Sequence, residues 1–121
     1  MAIFLKTFRA LKCNNNFVRY YSREKLSKND IMNELKMLSG WNIDSNRDAI
    51  IKSFEFNDFN ECWSFMNRCA LIAEKMDHHP EWFNVYNKCN VTLATHTCNG
   101  VSKLDIDLAI KMNEFEAALK K

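Results

Sequence analysis

From Ser27 onward the apolar residues switch between helical and strand spacing, and the switches divide the chain into seven elements. Ser27 with Asp30 three residues on reads as a helix start. Ile31, Leu35 and Leu38 then recur at helical spacing and Gly40 closes the pattern, predicting a helix over 28–39. Two short runs, 41–43 and 49–56, flank a polar turn at 44–48 and carry the β-branched and aromatic content of strands. Asp58 with Glu61 repeats the cap signal. Phe59, Cys62, Trp63, Met66, Cys69, Ala70, Ala73 and Met76 share one broad face after it, predicting a helix over 59–76 that stops before Pro80. Residues 82–86 and 89–96 read as two more strands around a polar corner at Asn87 and Lys88, with Cys89, Val91, Leu93 and Thr95 on one face. Asn99-Gly100 marks a turn. Ser102 with Asp105 opens a last helix, 102–120, striped by Leu104, Leu108, Met112, Phe115 and Leu119. The order α-β-β-α-β-β-α predicts an α+β fold: a four-stranded antiparallel sheet with three helices on one face.

Composition changes this picture only at the N-terminus. The 121 residues suit one domain, and no apolar run approaches the roughly 20 residues that span a bilayer, which predicts a soluble protein with no membrane partner. The net charge of +2 hides an asymmetry, because residues 1–23 hold Lys6, Arg9, Lys12, Arg19 and Arg23 and no acid. The rest is therefore mildly acidic, a poor match to a phosphate backbone, which argues against direct nucleic-acid binding. Residues 1–23 also interleave Ile3, Phe4, Phe8 and Leu11 with the basic positions, the composition of a mitochondrial presequence, and Arg19 to Ser22 resembles a processing context. A mitochondrial location is the expectation, with a disordered basic tail on a cytoplasmic or nuclear protein as the alternative. The folded domain is expected over 24–121. Five cysteines without a CxxC pair predict reduced thiols packed in or near a core.

The candidate chemistry lies in three histidines, His78, His79 and His96, which are all the chain has. Pro80 forces the chain out of helix just after the adjacent pair, so both imidazoles can turn toward one pocket. His96 falls at the end of a predicted strand, where a rigid scaffold commonly presents functional side chains. Imidazole exchanges protons near neutral pH. Taken singly, each histidine is as well explained by structure, Trp82 and Tyr86 as core aromatics, and Asp105 as half of a capping box. Metal binding by the histidines with Cys89 or Cys98 competes on equal terms.

Register separates these readings. Glu74, then His78-His79-Pro80, Tyr86, His96 and the distal Asp105 stand at spacings that resemble the signature of the pterin-4a-carbinolamine dehydratases. Thr95, Cys98, Gly100 and Ser102 fit the same register, as do Arg47-Asp48-Ala49-Ile50 and Phe54, Phe56 and Phe59 upstream, so the resemblance covers about 27–118. Thr97 and Ala94 depart from it, at the edge of the implied pocket.

The resemblance implies dehydration of a 4a-hydroxytetrahydropterin to the quinonoid dihydropterin in tetrahydrobiopterin recycling, without a metal or other cofactor. It implies His78 and His96 as proton donors to the leaving hydroxyl and His79 as a pterin-binding group that shares the proton work. Glu74, Asp77 and Asp105 become carboxylates that steady the imidazoles. Pro80 and Trp82 become walls for the flat ring, and Thr95, His96, Thr97 and Cys98 hydrogen-bonding groups at its amide edge. It also implies a second role as the dimerisation cofactor of a homeodomain transcription factor. The helices at 59–76 and 102–120 carry enough apolar surface for a homodimer or homotetramer, which core packing explains equally well.

Overall fold

A computed structural model describes residues 22–120; the expected leader lies outside them, apart from Ser22 and Arg23. The order is α1 (Lys28–Leu35), β1 (Asn42–Ile43), β2 (Ile50–Glu55), α2 (Phe59–Met76), β3 (Glu81–Val85), β4 (Lys88–Leu93), a short 3-10 turn (His96–Cys98) and α3 (Lys103–Leu119). The four strands form the one antiparallel sheet that the sequence predicts, and its strand order is β1-β2-β4-β3. Strand register puts Ile50 opposite Leu93, Phe54 opposite Cys89, and Trp82 opposite Val91, so one face of the sheet is apolar apart from Lys52 and Asn84. The three helices cover that face. Phe54 is central: its ring lies 4.5 Å from Phe65 of α2 and 6.0 Å from Trp41. Burying a phenylalanine of this kind stabilises a fold by roughly 1.5–3 kcal/mol.

Two boundaries differ from the sequence pattern, and both for tertiary reasons. α1 stops at Leu35, short of the predicted 39, because Leu38 and Trp41 must reach the core, where they are 5% and 4% exposed. The unwound turn also aims the Ser39 carbonyl at Lys52 Nζ (2.9 Å) and Asn113 Nδ2 (3.1 Å). Gly40 completes it at φ 83°, and a Cβ there would lie 2.8 Å from Lys52 Cε.

β4 likewise ends at Leu93 and not at His96. Thr95 and Gly100 pair by backbone hydrogen bonds, N to O 2.7 Å and 3.3 Å, and close a loop around the 3-10 turn. His96 therefore begins a turn; it does not end a strand.

The helix caps follow the sequence with one change. Ser27 and Asp58 accept from the amides of Asp30 and Glu61 (3.1 and 2.8 Å), but Glu61 reaches back to Asn57 N at 2.9 Å. Only the Ser102–Asp105 pair is a reciprocal capping box among these three. Cys62, Cys69 and Cys89 are buried free thiols, and burial pushes each up, Cys89 to about 12. They pack as small apolar groups. Cys98 is free and half-buried. Among the described residues no helix is long and apolar enough to cross a membrane.

Candidate functional site

The end of α2 decides where His78 goes. Asp77 takes the left-handed conformation, φ 50°, which aspartate tolerates better than most residues. His78 N then donates to Ala73 O at 3.0 Å and Asp77 N to Glu74 O at 3.1 Å, closing the helix in a Schellman-like turn. Arg23 holds this turn from outside, with its guanidinium 3.2 Å from Asp77 O and 3.5 Å from Asp77 Oδ2. The chain reverses, and His78 points inward.

There its Nε2 lies 2.6 Å from Asp105 Oδ1. His78 is 6% exposed and Asp105 is wholly buried. Asp105 sits in the first turn of α3, and its other oxygen, Oδ2, accepts from Thr95 Oγ1 at 2.8 Å and from Ser102 N at 2.9 Å. Thr95 Oγ1 and Ser102 Oγ are 2.6 Å apart, and Ser102 Oγ accepts from Leu104 N at 3.3 Å. Three element ends thus converge: the C-terminus of α2, the chain just beyond β4, and the N-terminus of α3. A buried carboxylate is costly unless its oxygens are hydrogen-bonded, and these are. Among the described residues no buried side-chain nitrogen or oxygen lacks a partner.

The other predicted site residues lie nearer the surface. His79 is exposed, with Nε2 3.6 Å from Glu74 Oε2. Asp77 is exposed and bound by Arg23. Pro80 is half-buried, as is Trp82, which packs against the core. His96 and Thr97 are exposed, and Cys98 Sγ lies 3.5 Å from the carbonyls of Thr95 and Gly100. Thr95 is 1% exposed, and its hydroxyl and amide are both engaged within the fold. The structure therefore joins His78, Asp105 and Thr95 directly, and carries His96 on the residue after Thr95. No three His, Cys, Asp or Glu side chains gather as a metal-ligand set among the described residues.

A cavity of about 330 Å³ opens beside His96, lined by Ala94, Thr95, Asn99 and Gly100 and by Lys25, Arg47 and Asp48. Lys25 Nζ pairs with Asp48 Oδ2 at 3.1 Å, and Arg47 Nη1 with Glu81 Oε2 at 2.9 Å. The hydrogen bond and charge of Glu81 hold the Arg47 guanidinium still more firmly charged than usual. Glu81 follows His79 by two residues, so this ion pair ties one cavity wall to the histidine loop.

Sequence reasoning missed two parts of this arrangement. Ser102 reads as a helix cap and a position of the family register, but its hydroxyl contact to Thr95 crosses between elements. Lys25 carries no motif, and Asn99 reads only as part of a turn. The signal for Arg47 and Asp48 was the family register alone.

The comparisons agree with the register read from the sequence and with the fold. A family model described as pterin 4 alpha carbinolamine dehydratase matches residues 24–115. Proteins from Brucella ovis and Brucella canis, each named "Putative pterin-4-alpha-carbinolamine dehydratase", are 51% identical over 92 residues, covering 76% of this chain and 95% of theirs. A crystal structure described as a transcriptional coactivator/pterin dehydratase from Brucella melitensis superposes with a TM-score of 0.76 at 49% identity. That match covers 77% of this chain and 99% of the other.

Proposed function

Because this chain belongs to the pterin 4 alpha carbinolamine dehydratase family, we propose that it dehydrates a 4a-hydroxytetrahydropterin to the quinonoid dihydropterin by histidine acid–base catalysis. The observation that carries this reading is the buried His78–Asp105 pair at 2.6 Å, an imidazole anchored on one edge by a carboxylate. The C4a–O bond breaks as an imidazolium gives its proton to the departing hydroxyl, which leaves as water. A neutral imidazole takes the N5 proton, and the N5 electron pair closes the N5=C4a bond. Hydroxide is a poor leaving group, so a positioned acid accelerates the step by about 10²–10⁴.

His78 and His96 are assigned the acid, and His79 the orientation of the pterin. Glu74, 3.6 Å from the His79 ring, steadies it. Asp77 holds the turn, Pro80 and Trp82 wall the ring, and Thr97 and Cys98 with His96 meet the amide edge. The cavity lined by His96 and Thr95 supports a substrate position beside His96. Tetrahydrobiopterin recycling is the setting, and no step calls on a metal or cofactor.

The test is decay of the 4a-carbinolamine on adding residues 22–121, the length that keeps the Arg23 contact. His78→Ala and His96→Ala are expected to lower kcat by about 10²–10⁴ with folding intact. Near-wild-type turnover in both variants overturns the assignment.

Two further features belong to this proposal. Phe59 and Trp63 of α2 stack 6.1 Å apart and are half exposed (48% and 53%), which supports self-association as a dimer or tetramer through that helix. Light scattering of Trp63→Lys, expected to lower the mass, checks it. The relative described as a transcriptional coactivator supports a second reading, in which the same helix meets a homeodomain factor. We assign residues 1–23 to mitochondrial targeting; nuclear accumulation of a tagged full-length chain overturns that assignment and favours the coactivator.

A further inference from the structure

We propose that Thr95 and Ser102 are positioning residues that act through Asp105 to hold His78 in one tautomer, with the proton on Nε2, so that Nδ1 is the atom that exchanges protons. This rests on the dehydratase reading for its catalytic consequence, but not for its structural one.

Donor counting gives the chain of bonds its direction. The Ser102 amide can only donate, and it donates to Asp105 Oδ2 at 2.9 Å. The Thr95 hydroxyl donates to the same oxygen at 2.8 Å, so its lone pairs remain to accept. The Ser102 hydroxyl, 2.6 Å away, must then donate to Thr95, and its own lone pairs accept from Leu104 N at 3.3 Å. Every hydrogen in this chain points toward Asp105.

With Oδ2 carrying two donors, the carboxylate faces His78 through Oδ1 alone. A carboxylate oxygen 2.6 Å from a ring nitrogen accepts a proton-bearing Nε2. The members are sealed from water: Asp105 and Ser102 are wholly buried and Thr95 is 1% exposed. Burial keeps bulk solvent from competing for the donors. The imidazole is thereby fixed in angle and in tautomer.

This gives Thr95 a task distinct from contacting the pterin. Its hydroxyl is consumed inside the protein, so its effect on turnover passes through Asp105 and His78.

The experiment reads both ends of the relay. Two-bond proton–nitrogen correlation spectra of ¹⁵N-histidine protein report the His78 tautomer without any assay of activity. The wild type is expected to show Nε2–H alone. Thr95→Val keeps the shape but removes a donor; it is expected to mix the tautomers and lower kcat about tenfold or more, with KM within about twofold. Thr95→Ser restores both. Ser102→Ala is the companion should Thr95→Val fold poorly, and is expected to shift the tautomer in the same direction.

A wild type protonated on Nδ1 overturns the proposal, as does an unchanged tautomer and kcat in both Thr95→Val and Ser102→Ala. If the wild type is inert toward the carbinolamine while Thr95→Val still mixes the tautomers, the relay stands and the dehydratase reading falls.

Discussion

Two buried polar networks hang from this sheet, and they differ in where their members come from. One gathers His78, Asp105, Thr95 and Ser102 from the ends of three elements. The other is centred on Lys52, whose side chain rises from the middle of β2 and is 8% exposed. Its ammonium meets Ser39 O at 2.9 Å, Asn113 Oδ1 at 2.8 Å and Glu116 Oε1 at 3.0 Å, and lies 4.6 Å from the Phe54 ring centroid. Trp41 Nε1 donates to the same Asn113 oxygen at 3.0 Å. Both networks are fully hydrogen-bonded. The Lys52 network joins the turn after α1 to β2 and the second half of α3, and Lys52 itself lines a second cavity with Gly40, Ile51, Ser53 and Val91. The His78 network stands at chain ends, where its Thr95 borders the cavity beside His96. The mid-element polar groups clamp one element to the next, whereas those at the element ends hold a histidine in place.

That contrast predicts different costs. Asp105→Ala leaves the Thr95 hydroxyl, the Ser102 amide and the His78 ring without their acceptor in a site closed to water. Removing one partner of such a buried set costs about 3–5 kcal/mol. On the proposed chemistry, turnover falls with it by about 10² or more. Urea unfolding and the carbinolamine assay together check this, and loss of stability with full turnover breaks the functional half of the comparison.

Lys52→Met keeps the packed stem and strands the carboxylate of Glu116. That side chain is 20% exposed and keeps Lys120 at 3.1 Å, so part of its charge rehydrates. The expected loss is about 2–3 kcal/mol, below the fully buried case. Turnover of the folded fraction is expected to stay near wild type, and a kcat loss matching that of Asp105→Ala would erase the distinction between clamp and site.

The smallest effect is pH-dependent. Burial pushes the Glu116 carboxyl up, but hydrogen bonds and charges from Lys52 and Lys120 outweigh it and hold the group below the ordinary carboxylate range. A carboxyl lowered in the folded state contributes stability that is present above its unfolded value, about 4.5, and lost as pH falls through the folded value. Glu116→Gln is therefore expected to be less stable than wild type by about 1 kcal/mol at neutral pH, discounted for its exposure. The two curves should converge in acid. Melting temperatures from pH 7 down to pH 3 test this, and parallel curves would remove Glu116 from the acid limb.

Much of this molecule was legible in the sequence. Periodicity and cap residues predict the seven elements, because amphipathic spacing, Ser or Asp caps and glycine stops are local signals that tertiary packing seldom overrides. α2 begins and ends where Asp58 and the run before Pro80 place it. The two shifted boundaries were not legible. Leu38 and Thr95 leave regular structure because their groups are wanted elsewhere, one in the core and the other on Asp105.

The same division runs through the site. The register of His78, His79, His96 and Asp105 identifies the family from the chain alone, since spacing along a sequence is a one-dimensional fact. Which carboxylate meets which imidazole is a three-dimensional one. Asp105 reads in the sequence as a helix cap and could equally have faced solvent. Packing of α2 against α3 brings His78 to it across 27 residues, and the loop after β4 supplies Thr95. Sequence determined the residue types and their order; the tertiary structure decided that one buried carboxylate caps a helix and holds a histidine at once, because a carboxylate has two oxygens and the fold spends both.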